Sequence, residues 1–375
     1  MRLLIINYEF PPLGGGAGNA TACLAREWAA LGHEVEILTG GARGLPAREE
    51  RDGYRVRRVP SPRRLQGQCS VGEMMAFAAL AVPAALCGPR PDVVVAFFSI
   101  PSGPVAWLLK MLRGVPYIVS LRGGDVPGFD AKHMAAMHAL TNPLTAMIWR
   151  NAAAVVGNST GLCQLARDFM PGLDVPEIPN GVDTERFSPA PRTASATPEL
   201  LFVGRLSTQK GVSVLLDALA LLPARWHLRI VGDGPERASL TAQAARLGIA
   251  QRVTFHGWAQ REELPALYRA ADVFVFPSLD EGMPNVVLEA LASGLPIVAT
   301  RIAGNDQLVL PGENGTLVPP GDPRAFAAAL APLLTDPAAR QRMGARSRAL
   351  ATERYSWARS AGKYDALFKH ESPQP

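Results

Sequence analysis

The chain has 375 residues, of which 48% are hydrophobic and 19% are charged. This length and composition predict two globular domains and exclude a single small domain or a largely disordered chain. The net charge of +5 is spread along the sequence, apart from the cluster Arg55, Arg57, Arg58, Arg63 and Arg64. A nucleic-acid partner is therefore not expected, whereas residues 55–64 are candidates for peripheral contact with anionic lipid or with a polyanionic acceptor.

The sequence contains no segment that predicts export or membrane insertion. The first predicted strand begins within three residues of the N-terminus, which leaves no room for a signal peptide. The most apolar stretch, 74–87, is short and contains Pro83, which favours a buried helix. The four cysteines form no C-x-x-C pair and predict no zinc site. We therefore expect a cytoplasmic protein, held at the inner face of the plasma membrane if the basic stretch meets lipid.

The loop after the first predicted strand, residues 2–7, contains the glycine run 14–16 ahead of a helix predicted at 19–31. Glycine lets backbone amides approach a ligand closely. The loop is not a Walker A loop, because no Lys-Ser/Thr pair follows. It is also not a G-x-G-x-x-G fingerprint, because Asn19 occupies the third glycine position. From its residues alone, the run is either a ligand-binding loop or an ordinary turn.

Apolar strands and helices continue to alternate, which predicts a parallel sheet. Arg122 stands at the end of the strand predicted at 115–121, in the loop RGGDVPG. A guanidinium donates bidentate hydrogen bonds to phosphate or carboxylate but does not accept a proton. Either a ligand with a negative group binds here, or Arg122 pairs with Asp125.

The second half follows a Pro- and Ser-rich linker predicted at 188–198 and opens with a strand predicted at 199–203. Arg205 follows this strand, and Lys210 stands at the start of the next predicted helix. Two cations beside a strand end and a helix N-terminus suit a diphosphate. The alternative is an ordinary surface arginine and lysine.

A further strand, predicted at 272–276, leads through a turn into a helix that is expected to end at Gly294. Ligands of open α/β sheets bind beyond the carboxyl ends of the strands, and helix N-termini attract anions. Gly282, Met283 and Asn285 are therefore placed at a predicted phosphate site, with Pro284 in the first helical turn.

Glu281 and Glu289 are eight residues apart. On a helix this spacing corresponds to about 80° of rotation and about 12 Å of rise, so the two carboxylates suit different parts of one extended ligand. The alternative is a solvated residue of the first turn and an ordinary exposed helix position.

Several of these segments resemble one known family. The segment 281–289, E-G-M-P-x-x-x-x-E, is similar to the E-x7-E signature of the retaining glycosyltransferases of family 4. The segment 204–211, G-R-L-x-x-x-K-G, is closely similar to a second motif of that family. The glycine loop, PNGVD at 179–183 and G-D-G-P at 232–235 also resemble family segments. The resemblance covers nearly the whole chain.

This resemblance implies an α/β fold of the GT-B type, with two Rossmann-like α/β/α domains facing an interdomain cleft. An N-terminal acceptor-binding domain would span 1–187 and a C-terminal nucleotide-sugar-binding domain 188–354. The last helix, 355–371, would pack back on the first domain.

The resemblance also implies roles for individual residues. Glu289 would hold the ribose hydroxyls and Glu281 would lie beside the donor sugar, while Arg205 and Lys210 would neutralise the diphosphate. Many relatives have a histidine where this chain has Arg122, and that histidine contacts the donor sugar. The predicted catalytic residues are Glu281, Arg205, Lys210 and Arg122. The predicted donor-binding residues are Gly15, Gly16, Arg205, Lys210, Gly232, Gly282, Met283, Pro284, Asn285 and Glu289.

The predicted activity is that of a retaining glycosyltransferase that requires neither metal nor cofactor. It would transfer a sugar from a UDP- or GDP-linked donor to a glycan or lipid-linked saccharide acceptor, in cell-envelope or polysaccharide biosynthesis. Two alternatives remain. One is an epimerase or hydrolase of nucleotide-sugars with the same architecture. The other is a nicotinamide-dependent oxidoreductase, against which the absent G-x-G-x-x-G argues.

Overall fold

The computed structural model describes residues 1–61, 69–129, 131–190 and 197–371. It divides the chain into a first unit, Met1–Asn180 with Trp357–Pro375, and a second unit, Gly181–Ser356. The observed division falls earlier than the predicted boundary after residue 187, because Val182 and Phe187 are buried in the core of the second unit. Most of the predicted linker, 191–196, lies outside the described residues.

Strands and helices alternate in both units. The strands are β1 (Arg2–Ile6), β2 (Glu34–Gly40), β3 (Arg48–Arg51), β4 (Tyr54–Val59), β5 (Val93–Phe97), β6 (Tyr117–Ser120), β7 (Ala154–Val156), β8 (Glu199–Val203), β9 (His227–Val231), β10 (Val253–Gly257), β11 (Val273–Phe276), β12 (Ile297–Thr300) and β13 (Gly315–Val318). The helices are α1 (Gly16–Ala30), α2 (Val71–Leu86), α3 (Ser102–Arg113), α4 (Ala131–Asn151), α5 (Thr160–Phe169), α6 (Val212–Ala220), α7 (Arg237–Arg246), α8 (Leu264–Ala270), α9 (Asn285–Ala292), α10 (Pro323–Thr335), α11 (Pro337–Arg354) and α12 (Trp357–Glu371).

The sheet of the first unit has the order β3-β4-β2-β1-β5-β6-β7. All neighbours in it are parallel except β3 and β4, which form an antiparallel pair at the edge. Every residue of β5 is buried, as expected for a parallel strand covered by helices on both faces. The apolar run 74–87 lies largely in α2, whose first turn is closed by a capping box between Ser70 and Glu73.

The sheet of the second unit is entirely parallel, in the order β10-β9-β8-β11-β12-β13. The strand order reverses beside the first strand of each sheet, between β1 and β5 and between β8 and β11. In sheets of this kind ligands bind beyond the carboxyl ends of the strands at that reversal. The loops that follow β1 and β5, and those that follow β8 and β11, are therefore where a site is expected.

Helix α12 completes the first unit by packing on α1. The Trp28 indole donates a hydrogen bond to the Ala361 carbonyl oxygen (3.2 Å), and the Trp28 ring meets Tyr364 edge-on, with 5.4 Å between centroids. His33 Nε2 lies 2.9 Å from Asp365 Oδ1. Among the helices in the described ranges, none is long and apolar enough to span a bilayer.

Candidate active site

The loops that follow β8 and β11 are joined at the strand-order reversal of the second unit. The Leu279 amide donates to the Gln209 carbonyl (2.7 Å), and the Gln209 side chain donates to the Asp280 carbonyl (2.8 Å). Gly211 has a φ of +63°, and a Cβ there would lie 2.2 Å from the Pro277 carbonyl oxygen. The two loops therefore form one supported platform, at a position that only glycine fits.

Lys210 and Glu281 meet on this platform. The Lys210 ammonium donates to Glu281 Oε1, to which the Ser278 hydroxyl also donates (2.9 Å). Lys210 Nζ lies 5.6 Å from the centroid of the Phe276 ring. An ammonium has three donors, so a lysine held by one carboxylate retains hydrogen-bonding capacity for a ligand. The residues had been predicted separately, and their pairing was not anticipated.

Arg205 directly follows Gly204, at the carboxyl end of β8. Its side chain is exposed, and it makes no hydrogen bond or ion pair with the residues that the structure describes. A guanidinium in this position can bind a phosphate through two parallel hydrogen bonds. Arg205 and Lys210 thus place two cations at the strand-order reversal, only one of which has a carboxylate partner in the described ranges.

Gly232, in the loop after β9, packs against the segment that carries Arg205. It has a φ of +128°, and a Cβ there would lie 2.0 Å from the Gly204 carbonyl oxygen. The backbone therefore requires glycine at this position for two separate reasons, conformation and space.

We expect Gly232→Ala to lower the free energy of unfolding by about 3 kcal/mol or more, because backbone strain and overpacking each cost about 1–3 kcal/mol. Urea denaturation measures the loss. Gly248→Ala is the matched control, since Gly248 also has a positive φ, +71°, but a Cβ there would have no neighbour within 4 Å. Equal losses in the two variants would show that the contact with Gly204 carries no energy.

The predicted phosphate site lies at the start of α9. Pro284 precedes this helix as the N-cap residue instead of occupying its first turn, and it supplies no capping side chain. Gly282, Met283 and Pro284 are buried, and a Cβ on Gly304 would lie 2.7 Å from the Gly282 carbonyl oxygen. A helix end without a capping side chain favours an anion beside it.

Glu289 lies further along α9 and is partly buried. The hydroxyl of the buried Tyr268 donates to Glu289 Oε2 (2.9 Å). Burial raises the pKa of Glu289 to about 7, against the opposing effects of the Tyr268 hydrogen bond, Arg261 and Arg186. The alternative of an ordinary exposed helix position is therefore wrong. The role of Tyr268 was missed, because the apolar pattern of α8 indicates only a packing residue.

In the first unit, the glycine loop lies after β1, at the other strand-order reversal. Helix α1 begins at Gly16, earlier than predicted, and the Gly15 amide donates to Glu9 Oε2 (3.3 Å). A Cβ on Gly15 would have no neighbour within 4 Å, whereas one on Gly14 (φ +90°) would lie 2.5 Å from Glu9 Cβ. Gly14 is thus required by the backbone, and Gly15 borders open space.

Arg122 lies after β6 in the first unit. Its guanidinium donates to Asn180 Oδ1 (2.6 Å) and lies 4.2 Å from the centroid of the Phe97 ring. Asp125 accepts a hydrogen bond from the backbone amide of Arg122 (2.9 Å). No ion pair joins the two side chains in the described ranges. Asp125 therefore pairs with the backbone amide of Arg122, whereas the guanidinium pairs with Asn180.

The arginines of the cluster have carboxylate partners wherever they are described. Three arginines of β4 form ion pairs with glutamates, Arg55 with Glu34, Arg57 with Glu36 and Arg58 with Glu49. Arg63 and Arg64 belong to residues 62–68, outside the described ranges. In the described part of 55–64 each arginine is therefore paired, although Glu34 is shared with Arg2 and Glu49 with Arg51.

The described residues contain no group of three or more His, Cys, Asp or Glu side chains that could hold a metal ion. The described acidic residues of the candidate site are instead engaged with other protein groups, Glu281 with Lys210 and Ser278, and Glu289 with Tyr268.

Comparisons with known proteins cover both units. Residues 15–181 match the family described as glycosyl transferase 4-like domain, and residues 197–336 match glycosyl transferases group 1. Glycogen synthase of Mycobacterium tuberculosis H37Rv is 31% identical, over 95% of this chain and 92% of that protein. The GDP-mannose-dependent alpha-(1-6)-phosphatidylinositol monomannoside mannosyltransferase of Mycolicibacterium smegmatis is 30% identical, over 95% of each chain. Among solved structures, sucrose-phosphate synthase from Thermosynechococcus elongatus gives a TM-score of 0.87 at 24% identity, over 98% of each chain.

Proposed function

Because this chain belongs to the group 1 glycosyltransferases of family 4 and has the GT-B fold, we propose that it is a retaining enzyme that uses a UDP- or GDP-sugar without a metal ion. The acceptor is a glycan or a lipid-linked saccharide. The observation that carries the proposal is the pairing of Lys210 with Glu281 ahead of the start of α9 in the second unit, with a second cation, Arg205, in the same loop after β8.

The donor diphosphate is assigned to this platform. Breaking the bond between the sugar and the diphosphate builds negative charge on the leaving phosphate while the sugar becomes oxocarbenium-like. Arg205 and Lys210 stabilise that charge, together with the N-terminus of α9. Because Gly211 and the bonds of Gln209 fix the platform before a ligand arrives, little reorganisation accompanies the reaction.

Glu281 has two tasks in this proposal. It lies beside the donor sugar, and it fixes the Lys210 ammonium through the bond that the two side chains form. The Ser278 hydroxyl orients the same carboxylate. No covalent nucleophile is assigned, so retention is attributed to attack of the acceptor on the face from which the diphosphate departs.

The nucleoside is assigned to Glu289 and Gly232. A carboxylate accepts hydrogen bonds from both ribose hydroxyls, and the close packing of Gly232 on Gly204 brings the loop after β9 beside the diphosphate platform. In the first unit, Gly15, Gly16 and Arg122 are assigned to the sugar and the acceptor. Arg122, which stands where the family resemblance implies a histidine in many relatives, suits an acceptor or sugar with a negative group.

The names of two relatives support this acceptor class, one a glycogen synthase and the other a phosphatidylinositol monomannoside mannosyltransferase. We assign this chain to the same broad chemistry, in polysaccharide or cell-envelope biosynthesis on the cytoplasmic side. An epimerase or hydrolase of nucleotide-sugars is the alternative function.

Product analysis tests the proposal. The protein is incubated with each of a panel of UDP- and GDP-sugars and with extracted glycan or glycolipid, in a buffer with a chelator. We expect release of nucleoside diphosphate that depends on the acceptor, and a product whose anomeric configuration matches the donor. Release of free sugar without acceptor, or interconversion of donor sugars, would establish the alternative function instead.

A further inference from the structure

Tyr268 is the residue that fixes Glu289. Its side chain is fully buried, between the edge of Phe187 at 5.6 Å and the ring of Phe274 at 5.7 Å between centroids. Its hydroxyl lies 2.9 Å from Glu289 Oε2 and 3.1 Å from the Val286 carbonyl oxygen. Aromatic rings on two sides restrict this buried phenol, and the carboxylate that accepts its hydrogen bond is restricted with it.

We propose that Tyr268 is a positioning residue for nucleotide binding, which holds the Glu289 carboxylate in the ionised form and orientation that receive the ribose hydroxyls. The inference rests on the proposed function, because the ribose is assigned to Glu289 there. It adds a residue outside the family motif and a dependence of nucleotide affinity on pH.

The surroundings of Glu289 determine the direction of that dependence. Arg261, in the segment before α8, and Arg186 are the cations whose charges act on the carboxylate. Arg186 also interacts with Glu262, at 3.8 Å. On the side of α11, Arg348 donates to the carbonyl of Ala292 at the far end of α9 (2.8 Å).

The balance favours a proton on Glu289 below neutral pH. Burial raises the pKa of Glu289 to about 7, and the Tyr268 hydrogen bond lowers it from where burial alone would place it. A protonated carboxyl group is a weaker acceptor for the two ribose hydroxyls, because one of its oxygens carries the proton. Nucleotide affinity is therefore expected to rise as the pH rises through about 7, and to level off above that value.

Tyr268→Phe tests the role, because it removes the hydroxyl and keeps the aromatic ring. Calorimetric titrations with UDP, GDP and inorganic pyrophosphate are made from pH 5.5 to pH 8.5. We expect the variant to bind the preferred nucleotide about tenfold more weakly near neutral pH, as for loss of a hydrogen bond to a charged group. Its pH midpoint moves upward, and its affinity for pyrophosphate stays unchanged.

Two further variants isolate this effect. Glu289→Gln supplies the baseline for titration of the ligand's own phosphate, whose second pKa is about 6, and is expected to lack the midpoint near 7. Tyr355→Phe is the matched control, since the Tyr355 hydroxyl donates to the Gln307 carbonyl (3.0 Å) in the same unit. It is expected to match the unaltered protein.

An unchanged affinity and midpoint in Tyr268→Phe would overturn the positioning role, and so would an equal loss for nucleotide and pyrophosphate. If Glu289→Gln still weakened nucleotide binding, the proposed function would stand without Tyr268. Absence of UDP and GDP binding by the unaltered protein would overturn both proposals.

Discussion

Replacement of Arg205 and Lys210 together by alanine is expected to lower kcat by about 10³-fold or more. Each group stabilises negative charge that develops on the leaving diphosphate, and removal of one such group typically costs about 10²- to 10³-fold. Arg205 is exposed and Lys210 is only partly buried, so the double variant is expected to keep its fold. Steady-state turnover of the donor identified by product analysis measures the effect.

Arg246→Ala controls for the loss of positive charge from the second unit. Arg246 is an exposed residue in the last turn of α7, and its removal is expected to leave kcat unchanged. Thermal unfolding of all three proteins separates a folding defect from a catalytic one. A folded double variant with full turnover would remove the diphosphate platform from the mechanism.

Glu289→Ala is expected to weaken binding of the preferred nucleoside diphosphate by about 10²-fold at pH 8. Two hydrogen bonds from ribose hydroxyls to a carboxylate contribute roughly 3 kcal/mol, which corresponds to about this factor. The loss should be confined to ligands with a ribose, so affinity for pyrophosphate serves as the internal reference. Calorimetry gives both values.

Glu262→Ala is the control for a carboxylate lost from the same unit, because the Glu262 side chain is 79% exposed. It is expected to bind both ligands as the unaltered protein does. If Glu289→Ala kept its nucleotide affinity, or if its affinity for pyrophosphate fell by the same factor, the assignment of ribose to Glu289 would be wrong.

The glycosyltransferase family and the GT-B fold were predicted from the sequence and confirmed by the comparisons. Local patterns were sufficient for many elements. The strand expected at 199–203 is β8 (Glu199–Val203), and the strand expected at 272–276 is β11 (Val273–Phe276), one residue shorter. Both were identified because short apolar runs bounded by turn residues are typical of buried parallel strands. Helix ends were less well placed, as the early start of α1 at Gly16 shows.

The partners of the candidate residues were not predictable. Lys210 and Glu281 are 71 residues apart in sequence, and Arg122 and Asn180 are 58 apart. Such pairs depend on the order of the strands in the sheet. For example, β8 and β11 are neighbours in the sheet although β9 and β10 lie between them in the sequence. The partial burial of Glu289 could not be predicted either, since it depends on a contact with Tyr268 of a different helix, α8.

The pairing of the β4 arginines with glutamates is a further effect of strand pairing. Arg55 lies near Glu34 and Arg57 near Glu36 only because β4 pairs with β2 in parallel register. In the sequence their positive charges are two residues apart, whereas their partners, Glu34 and Glu36, both lie on β2.

Calorimetric titration with UDP and GDP in the presence of a chelator tests the central claim most directly, because it examines the nucleotide site before any acceptor is known. We expect micromolar binding of one of the two nucleotides, with the chelator present throughout. That result would identify the donor class and the sugars to test. Binding of neither nucleotide by the folded protein would contradict a metal-independent nucleotide site at Arg205, Lys210 and Glu289.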